Sequence, residues 1–255
     1  MKIFDTHAHY DDKQFDSDRE YLLKQCVEQG IDTIVNIGAS IETSKNTLEL
    51  IDNYPFMYGA IGIHPTETKE LTSKDILWLK EMSSHKKVVA IGEIGLDYYW
   101  DEPSREIQKH WFIEQLHLAR EVGLPVVIHS RDAAKDTMDI MKAEKAEEIG
   151  GVIHCYSYHV DIAKEYVSMG FYLGIGGVVT FNNGKKLKEV VEAIPIEHLV
   201  LETDCPYLSP VPNRGKRNDS LNLNYVAEEI AHLKNISKEE VIRITTENAK
   251  RLYRL

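Results

Sequence analysis

The run K-V-V-A-I-G at 87–92 leads into a helical stretch at 104–122, the breaker Gly123-Leu124-Pro125, and a second run P-V-V-I-H at 125–129. Both runs are short and nearly continuously apolar, as parallel strands covered on both faces must be. Reading outward, the same unit recurs to both ends of the chain. Strand candidates at 2–6, 32–37, 57–63, 151–155, 171–175 and 198–202 join the first two. Amphipathic stretches at 16–29, 42–52, 73–84, 132–147, 159–168, 184–193 and 220–254 separate or follow them. Gly30 stops the first helix, Ser73 stands where an N-cap is wanted before Ile76, and Ser237 with Glu240 forms a capping box. Eight strands each followed by helix predict an α/β chain folded as a (β/α)8 TIM barrel. A doubly wound open sheet uses similar units, and periodicity alone does not separate the two. No glycine-serine linker, charge block or composition shift marks a boundary, so a single domain over residues 1–255 is expected.

Composition narrows the class. The chain has 255 residues, 43% hydrophobic and 28% charged, which excludes disorder, fibre and coiled coil. No apolar run approaches the ~20 residues that cross a bilayer, and the N-terminus lacks the apolar core of a signal peptide. Cys26, Cys155 and Cys205 are an odd set without C-x-x-C spacing, which argues against a disulfide framework. A cytoplasmic protein without membrane contact is expected, and nothing in the chain implies an obligatory protein partner. The net charge of −11 opposes broad electrostatic binding of nucleic acid.

The chemistry lies at the ends of the strands. His7 and His9 follow strand one as H-A-H, and residues i and i+2 of an extended chain project to one face. His64 ends strand three in G-I-H-P, Glu93 ends strand four, His129 strand five and His154 strand six, while Asp204 follows strand eight in E-T-D-C-P. In a barrel these positions ring the C-terminal mouth, where active sites sit. A lone histidine at a strand end is most often a hydrogen-bonded rim residue, and a lone acid a cap. The joint pattern is much harder to produce by accident. Imidazoles with carboxylates suit Zn, Mn, Co, Ni or Fe better than calcium. Six such groups exceed the needs of one catalytic ion and suffice for two if a carboxylate bridges. Two such ions activate a water and stabilise attacking and leaving oxygens, which is hydrolytic chemistry.

The motifs D-T-H-A-H at 5–9, G-I-H-P at 62–65, G-E-I-G-L-D-Y-Y at 92–99, P-V-V-I-H-S-R-D at 125–132, H-C at 154–155, E-T-D-C-P at 202–206 and R-G-K-R-N at 214–218 occur in that order. Across residues 2–254 the sequence resembles the TatD family of metal-dependent hydrolases and DNases, among the amidohydrolase-like barrels. The resemblance implies two divalent ions (Zn, Mn, Mg, Ni, Co or Fe). One is held by His7, His9, Glu93 and Asp204; the other by His129 and His154, with Glu93 as bridge. It implies Asp204 as general base, Glu93 beside it in catalysis, and His64 as a contact for a substrate phosphate. It further implies a 3′–5′ exonuclease acting on DNA, at single-stranded or 3′ ends. Two divalent cations and two ionised carboxylates leave a local positive charge that matches a nucleophile and one phosphate, so an acidic protein engages a polyanion weakly and at its end.

Arg214-Gly215-Lys216-Arg217 is the densest basic cluster; beside Asp204 it reads as a phosphate-contacting loop, with Arg131 as a second contact. The run from Asp97 to Trp100 offers a stacking platform or mere packing at the mouth. Cys26, Cys155 and Cys205 read as buried small hydrophobes. Gly174, Gly176 and Gly177 lack the Lys-Ser/Thr of a phosphate loop and read as backbone crowding. Glu202 stands where it can orient a ligand imidazole. Tyr156 and Tyr158 replace small residues common in the family, which bears on substrate choice more than on metal. The same ligands would serve an amide or ester hydrolase, including one that removes D-amino acids from tRNA. Related barrels often bridge their ions with a carbamylated lysine; Glu93 leans toward the TatD branch. An inactive metal- or nucleic-acid-binding module is the third reading, and the complete ligand set opposes it.

Overall fold

The computed structural model describes residues 2–255 and contains one eight-stranded parallel sheet with strands in chain order. These are β1 (Ile3–Ala8), β2 (Ile31–Ile37), β3 (Met57–Ile61), β4 (Val88–Asp97), β5 (Val126–Arg131), β6 (Gly151–Ile153), β7 (Tyr172–Ile175) and β8 (Leu199–Leu201). The turn after β8 returns to β1: Ala8 bridges Cys205 in parallel, the Asp204 N–H donates to the His7 carbonyl at 2.9 Å, and the His9 N–H donates to the Cys205 carbonyl at 2.8 Å. With a helix or helical turn after each strand, this is an α/β fold, the (β/α)8 TIM barrel. The chain groups into two compact units, Met1–Asn36 with Cys155–Val167 and Tyr172–Leu255, and Ile37–His154 with Ser168–Phe171.

In the first unit β1 pairs with β2 and β7 with β8. All six residues of β1 are buried, including Asp5 and His7. The helix Lys185–Ala193 places Leu187, Val190 and Val191 on one buried stripe at i, i+3 and i+4. Burying each of these side chains contributes roughly 1.5–3 kcal/mol. The stretch expected as helical over 220–254 is two helices, Leu223–Lys234 and Lys238–Tyr253. Asn235, at φ 53°, breaks it, and the Ser237 hydroxyl accepts from the Glu240 N–H to start the second helix.

In the second unit β3, β4, β5 and β6 pair in order. The helix Arg105–Val122 stops at Gly123, whose φ of 72° suits glycine. The helix Ser73–Met82 is capped not by Ser73 but by Thr72, whose N–H and hydroxyl both donate to Asp75. The main departure from expectation is β4. Glu93 does not end it; the strand runs on to Asp97. Between Ile91 and Ile94 the register slips by one residue against β5, where Ile91 faces Val126 and Ile94 faces Ile128. Gly92 and Glu93 thus form a bulge, after which pairing resumes with Gly95 opposite His129 and Asp97 opposite Arg131. Gly95, at φ 142°, lies so close to β5 that a Cβ there would sit 1.9 Å from the His129 carbonyl oxygen. Only glycine permits that approach.

Candidate metal centre

In the first unit, the two-residue period of β1 sets Asp5, His7 and His9 on one side of the strand. The Nε2 atoms of His7 and His9 are 3.1 Å apart, and Asp204 Oδ1 lies 3.7 and 3.4 Å from them. Metal–ligand distances of about 2.0–2.2 Å place neighbouring ligand atoms about 3.0 Å apart in an octahedron and about 3.4 Å in a tetrahedron. The cluster has those edges. Two imidazoles and a carboxylate fit a divalent transition ion in donor type and spacing. Asp204 has the left-handed backbone (φ 56°), uncommon for a residue other than glycine and typical of functional turns.

Asp5, absent from the expected site, holds this cluster together. Its Oδ1 accepts from the N–H of His7 (3.3 Å) and of Thr203 (3.0 Å), and its Oδ2 from the hydroxyls of Thr203 and Ser220 (2.7 Å each). One buried carboxylate therefore ties the H-x-H strand to the T-D turn. Burial, opposed by these four donors, pushes its pKa up to about 7. Asn218 adds hydrogen bonds to the carbonyls of Thr203 (2.9 Å) and Tyr207 (2.8 Å). The sequence signal was a charged residue within the strand, directly after the apolar pair Ile3-Phe4.

Glu202 is fully buried, accepts the Cys155 N–H at 2.6 Å, and has a carboxylate oxygen within 4.8 Å of a His7 nitrogen. Its Oε2 fills the space a Cβ on Gly174 would need, 2.0 Å away, so crowding explains that glycine. Tyr156 is buried, donates its hydroxyl to the His159 carbonyl at 2.7 Å, and stacks edge-on against Tyr158 and Tyr166. With Cys155, Gly176, Glu202 and Asp204 it lines a small cleft of about 30 Å³, room for about one water. Cys26 and Cys205 are buried; Cys155, expected to be buried as well, is half-exposed at this cleft.

In the second unit, the bulge of β4 brings Glu93 to three histidines. Its Oε1 is 2.7 Å from His129 Nδ1 and 3.8 Å from both His154 Nε2 and His64 Nε2. The other ring nitrogen of His129 lies 2.9 Å from Asp97 Oδ2. Burial draws the His129 pKa down, but hydrogen bonds to Asp97 and Glu93 outweigh it, and the net shift is upward. Asp97 shows the converse: burial raises its pKa, and His129 together with the Trp100 N–H more than reverses that. A positive charge is thus wanted at Nδ1, and a proton or a divalent ion can supply it. With an ion at Nδ1, the Nε2–H to carboxylate bond is the arrangement that fixes the ring of a metal-bound histidine. Asp97, which holds His129, is absent from the expected ligand set.

His64 differs from the other histidines. Its Nδ1 accepts the Thr66 N–H (3.3 Å) and meets the Thr66 hydroxyl at 2.7 Å, so in the neutral ring the proton sits on Nε2. Burial, aided by the charge of His129, lowers its pKa to about 3. It is neutral, its Nε2 lies 3.8 Å from Glu93 Oε1, and with Glu93 and His129 it forms a group whose ligand atoms lie within 4.8 Å of one another.

The basic residues separate. Arg217 donates to both carboxylate oxygens of Asp18 (2.8 and 2.6 Å) and to the Gln14 carbonyl (2.6 Å), and stacks on Phe15, so it anchors its loop. Arg214 is exposed and lies over the Phe181 ring at 4.2 Å. Arg131 is exposed at the end of β5, with its guanidinium 3.8 Å over the Tyr99 ring. No helix among the described residues is long and apolar enough to cross a membrane.

Comparison with known proteins agrees with this geometry. The family model of the TatD related DNases matches residues 4–254. An uncharacterized metal-dependent hydrolase of Bacillus subtilis strain 168, YabD, is 49% identical over 253 residues, 99% of each chain. The uncharacterized metal-dependent hydrolase YcfH of Escherichia coli K12 is 32% identical over 258 residues, covering all of this chain and 97% of its own. The crystal structure of YjjV, a TatD homolog from Escherichia coli K12, superposes with a TM-score of 0.93 at 29% identity, over 99% of this chain and 98% of that one. The chain belongs to the TatD family of metal-dependent hydrolases.

Proposed function

We propose that the protein is a two-metal phosphodiesterase that removes nucleotides from the 3′ ends of DNA. The observation that carries the reading is the His7, His9 and Asp204 cluster, whose donor atoms stand 3.1–3.7 Å apart, the edges of a divalent-ion coordination shell. In this reading His7, His9, Asp204 and Glu93 hold one ion, and His129, His154 and Glu93 the other. Bound there, the ions would supply Lewis acidity toward the phosphate and toward the attacking and leaving oxygens. Asp204 takes a proton from the attacking water at its carboxylate. Glu93 keeps the site's charge low enough to release product. His64, neutral with its proton on Nε2, donates a hydrogen bond to a phosphate oxygen without adding charge. Arg214 and Arg131 contact flanking phosphates. Arg217, bound to Asp18, holds the loop that carries Arg214. Support for a DNA substrate comes from the matching family model, described as TatD related DNase.

The test is a 5′-labelled single-stranded DNA incubated with Mg²⁺ or Mn²⁺ and with wild type, Glu93→Ala or Asp204→Ala. Stepwise shortening by wild type, reduced at least 100-fold in both variants, is expected. No shortening by pure, metal-loaded wild type overturns the DNA reading. If a D-aminoacyl ester is then hydrolysed instead, the ester-hydrolase reading replaces it.

A further inference from the structure

Beyond the metal centre, the geometry points to a nucleobase-stacking site formed by Tyr99, Trp100 and Arg131. The proposal rests on the phosphodiesterase reading only for where the scissile bond lies. Tyr99 is 55% and Trp100 64% exposed, two large flat rings presented side by side to solvent at the end of β4. The two rings meet edge to face, with centroids 5.2 Å apart at 88°. Arg131 covers one face of Tyr99, its guanidinium 3.8 Å from the ring centroid. A stacked guanidinium keeps its N–H donors in its own plane, so Arg131 can stack and still reach a phosphate.

The platform is fixed rather than loose. Asp97 Oδ1 accepts the N–H of Tyr99 at 3.0 Å and of Trp100 at 3.1 Å, while its Oδ2 holds His129 at 2.9 Å. One buried carboxylate therefore sets the aromatic turn and the metal-site imidazole in register. Tyr98, the intervening residue, is committed elsewhere: its hydroxyl donates to Asp136 at 2.7 Å and its ring carries Arg105. Exposed flat rings beside a guanidinium, geared to a centre that takes phosphodiesters, match an unpaired base and its phosphate. Every base has a π-face, so such a platform is tolerant of sequence and selective for unstacked strands. A duplex, with its bases already stacked, offers these rings nothing, and binding of single-stranded ends follows.

The experiment measures fluorescence anisotropy of a 5′-labelled, 3′-phosphorothioate single strand and of the same strand with three abasic nucleotides at its 3′ end. Wild type should bind the base-bearing strand roughly 5- to 150-fold more tightly than the abasic one. In Trp100→Ala and Tyr99→Ala that ratio should fall toward one, and Trp100→Phe should restore most of it. Tyr21→Ala, at a residue 67% exposed and not held by Asp97, should keep the wild-type ratio. Equal binding of the two strands by wild type overturns the site, as does a ratio unchanged by Trp100→Ala. If wild type cleaves DNA yet ignores the bases, the stacking site alone fails. If it does not cleave but binds base-dependently, the site stands and the nuclease reading fails.

Discussion

Replacing Asp97 by asparagine tests the coupling between a buried carboxylate and the metal-site histidine. The side chains are nearly isosteric, so the backbone of β4 has no reason to move. In Asp97→Asn the new amide can keep its oxygen toward the N–H groups of Tyr99 and Trp100, but its N–H2 then faces His129 Nε2. The imidazole must answer by moving its proton from Nε2 to Nδ1, the atom 2.7 Å from Glu93 and the one an ion would use. If the amide flips instead, its N–H2 opposes the two backbone N–H groups held at 3.0 and 3.1 Å. Either way a charge-assisted hydrogen bond worth about 1.5–3 kcal/mol is lost from the state that binds metal. At about 1.4 kcal/mol per decade, one ion should bind roughly 10- to 100-fold more weakly, which agrees with the usual effect of removing such partners. The ion on His7, His9 and Asp204 should keep its affinity. Competition titration of Zn²⁺ or Mn²⁺ against a chromophoric chelator resolves the two affinities. A variant that is folded by circular dichroism and binds both ions within about twofold of wild type would refute the reasoning.

Three further outcomes follow from the same geometry. Asp5 has its pKa raised from 3.8 to about 7, so its contribution is full below pH 3.8 and is lost as pH rises through about 7. In metal-free protein, the urea stability of wild type relative to Asp5→Asn should drop by about 4 kcal/mol between about pH 4 and pH 8; a difference that stays flat would count against the buried carboxylate. Gly174→Ala places a Cβ 2.0 Å from Glu202 Oε2 and should cost about 1–3 kcal/mol in denaturant unfolding, with no loss if the strand can shift. Arg214→Ala should weaken polynucleotide binding and reduce the salt slope by about one, whereas Arg217→Ala, which loses its pair with Asp18, should cost at most about 1 kcal/mol of stability and leave the slope near wild type. Equal slopes for the two variants would put their assigned roles in error.

The residues that were legible in the sequence are those whose placement follows from chain geometry alone. The H-A-H pair needed only the two-residue strand period, and its nitrogens are 3.1 Å apart. Eight apolar runs with helices between them sufficed for a parallel α/β sheet, since each strand buries both faces, but not to separate a barrel from an open sheet. What stayed hidden depended on register or on distant partners. Glu93 looked like a strand end because Gly92 reads as a stop; only the slip against β5 reveals a bulge that turns the carboxylate inward while the strand continues. Asp97 gained its role from that resumed pairing, and no spacing rule places it opposite β5. Arg217 looked like a phosphate contact because its partner, Asp18, lies 199 residues away in sequence. Asp5 stayed hidden because its partners Thr203 and Ser220 lie 198 and 215 residues away in sequence, although a charge within a buried strand is the kind of exception that marks a site.

The central claim, that these histidines and carboxylates form a divalent-metal centre, is tested most directly by anomalous diffraction from crystals soaked in Mn²⁺ or Zn²⁺. The account predicts one strong peak about 2.0–2.2 Å from His7, His9 and Asp204, and a second at the same distance from Glu93, His129 Nδ1 and His154. Absence of a peak at the His7, His9 and Asp204 cluster in metal-saturated crystals would contradict it.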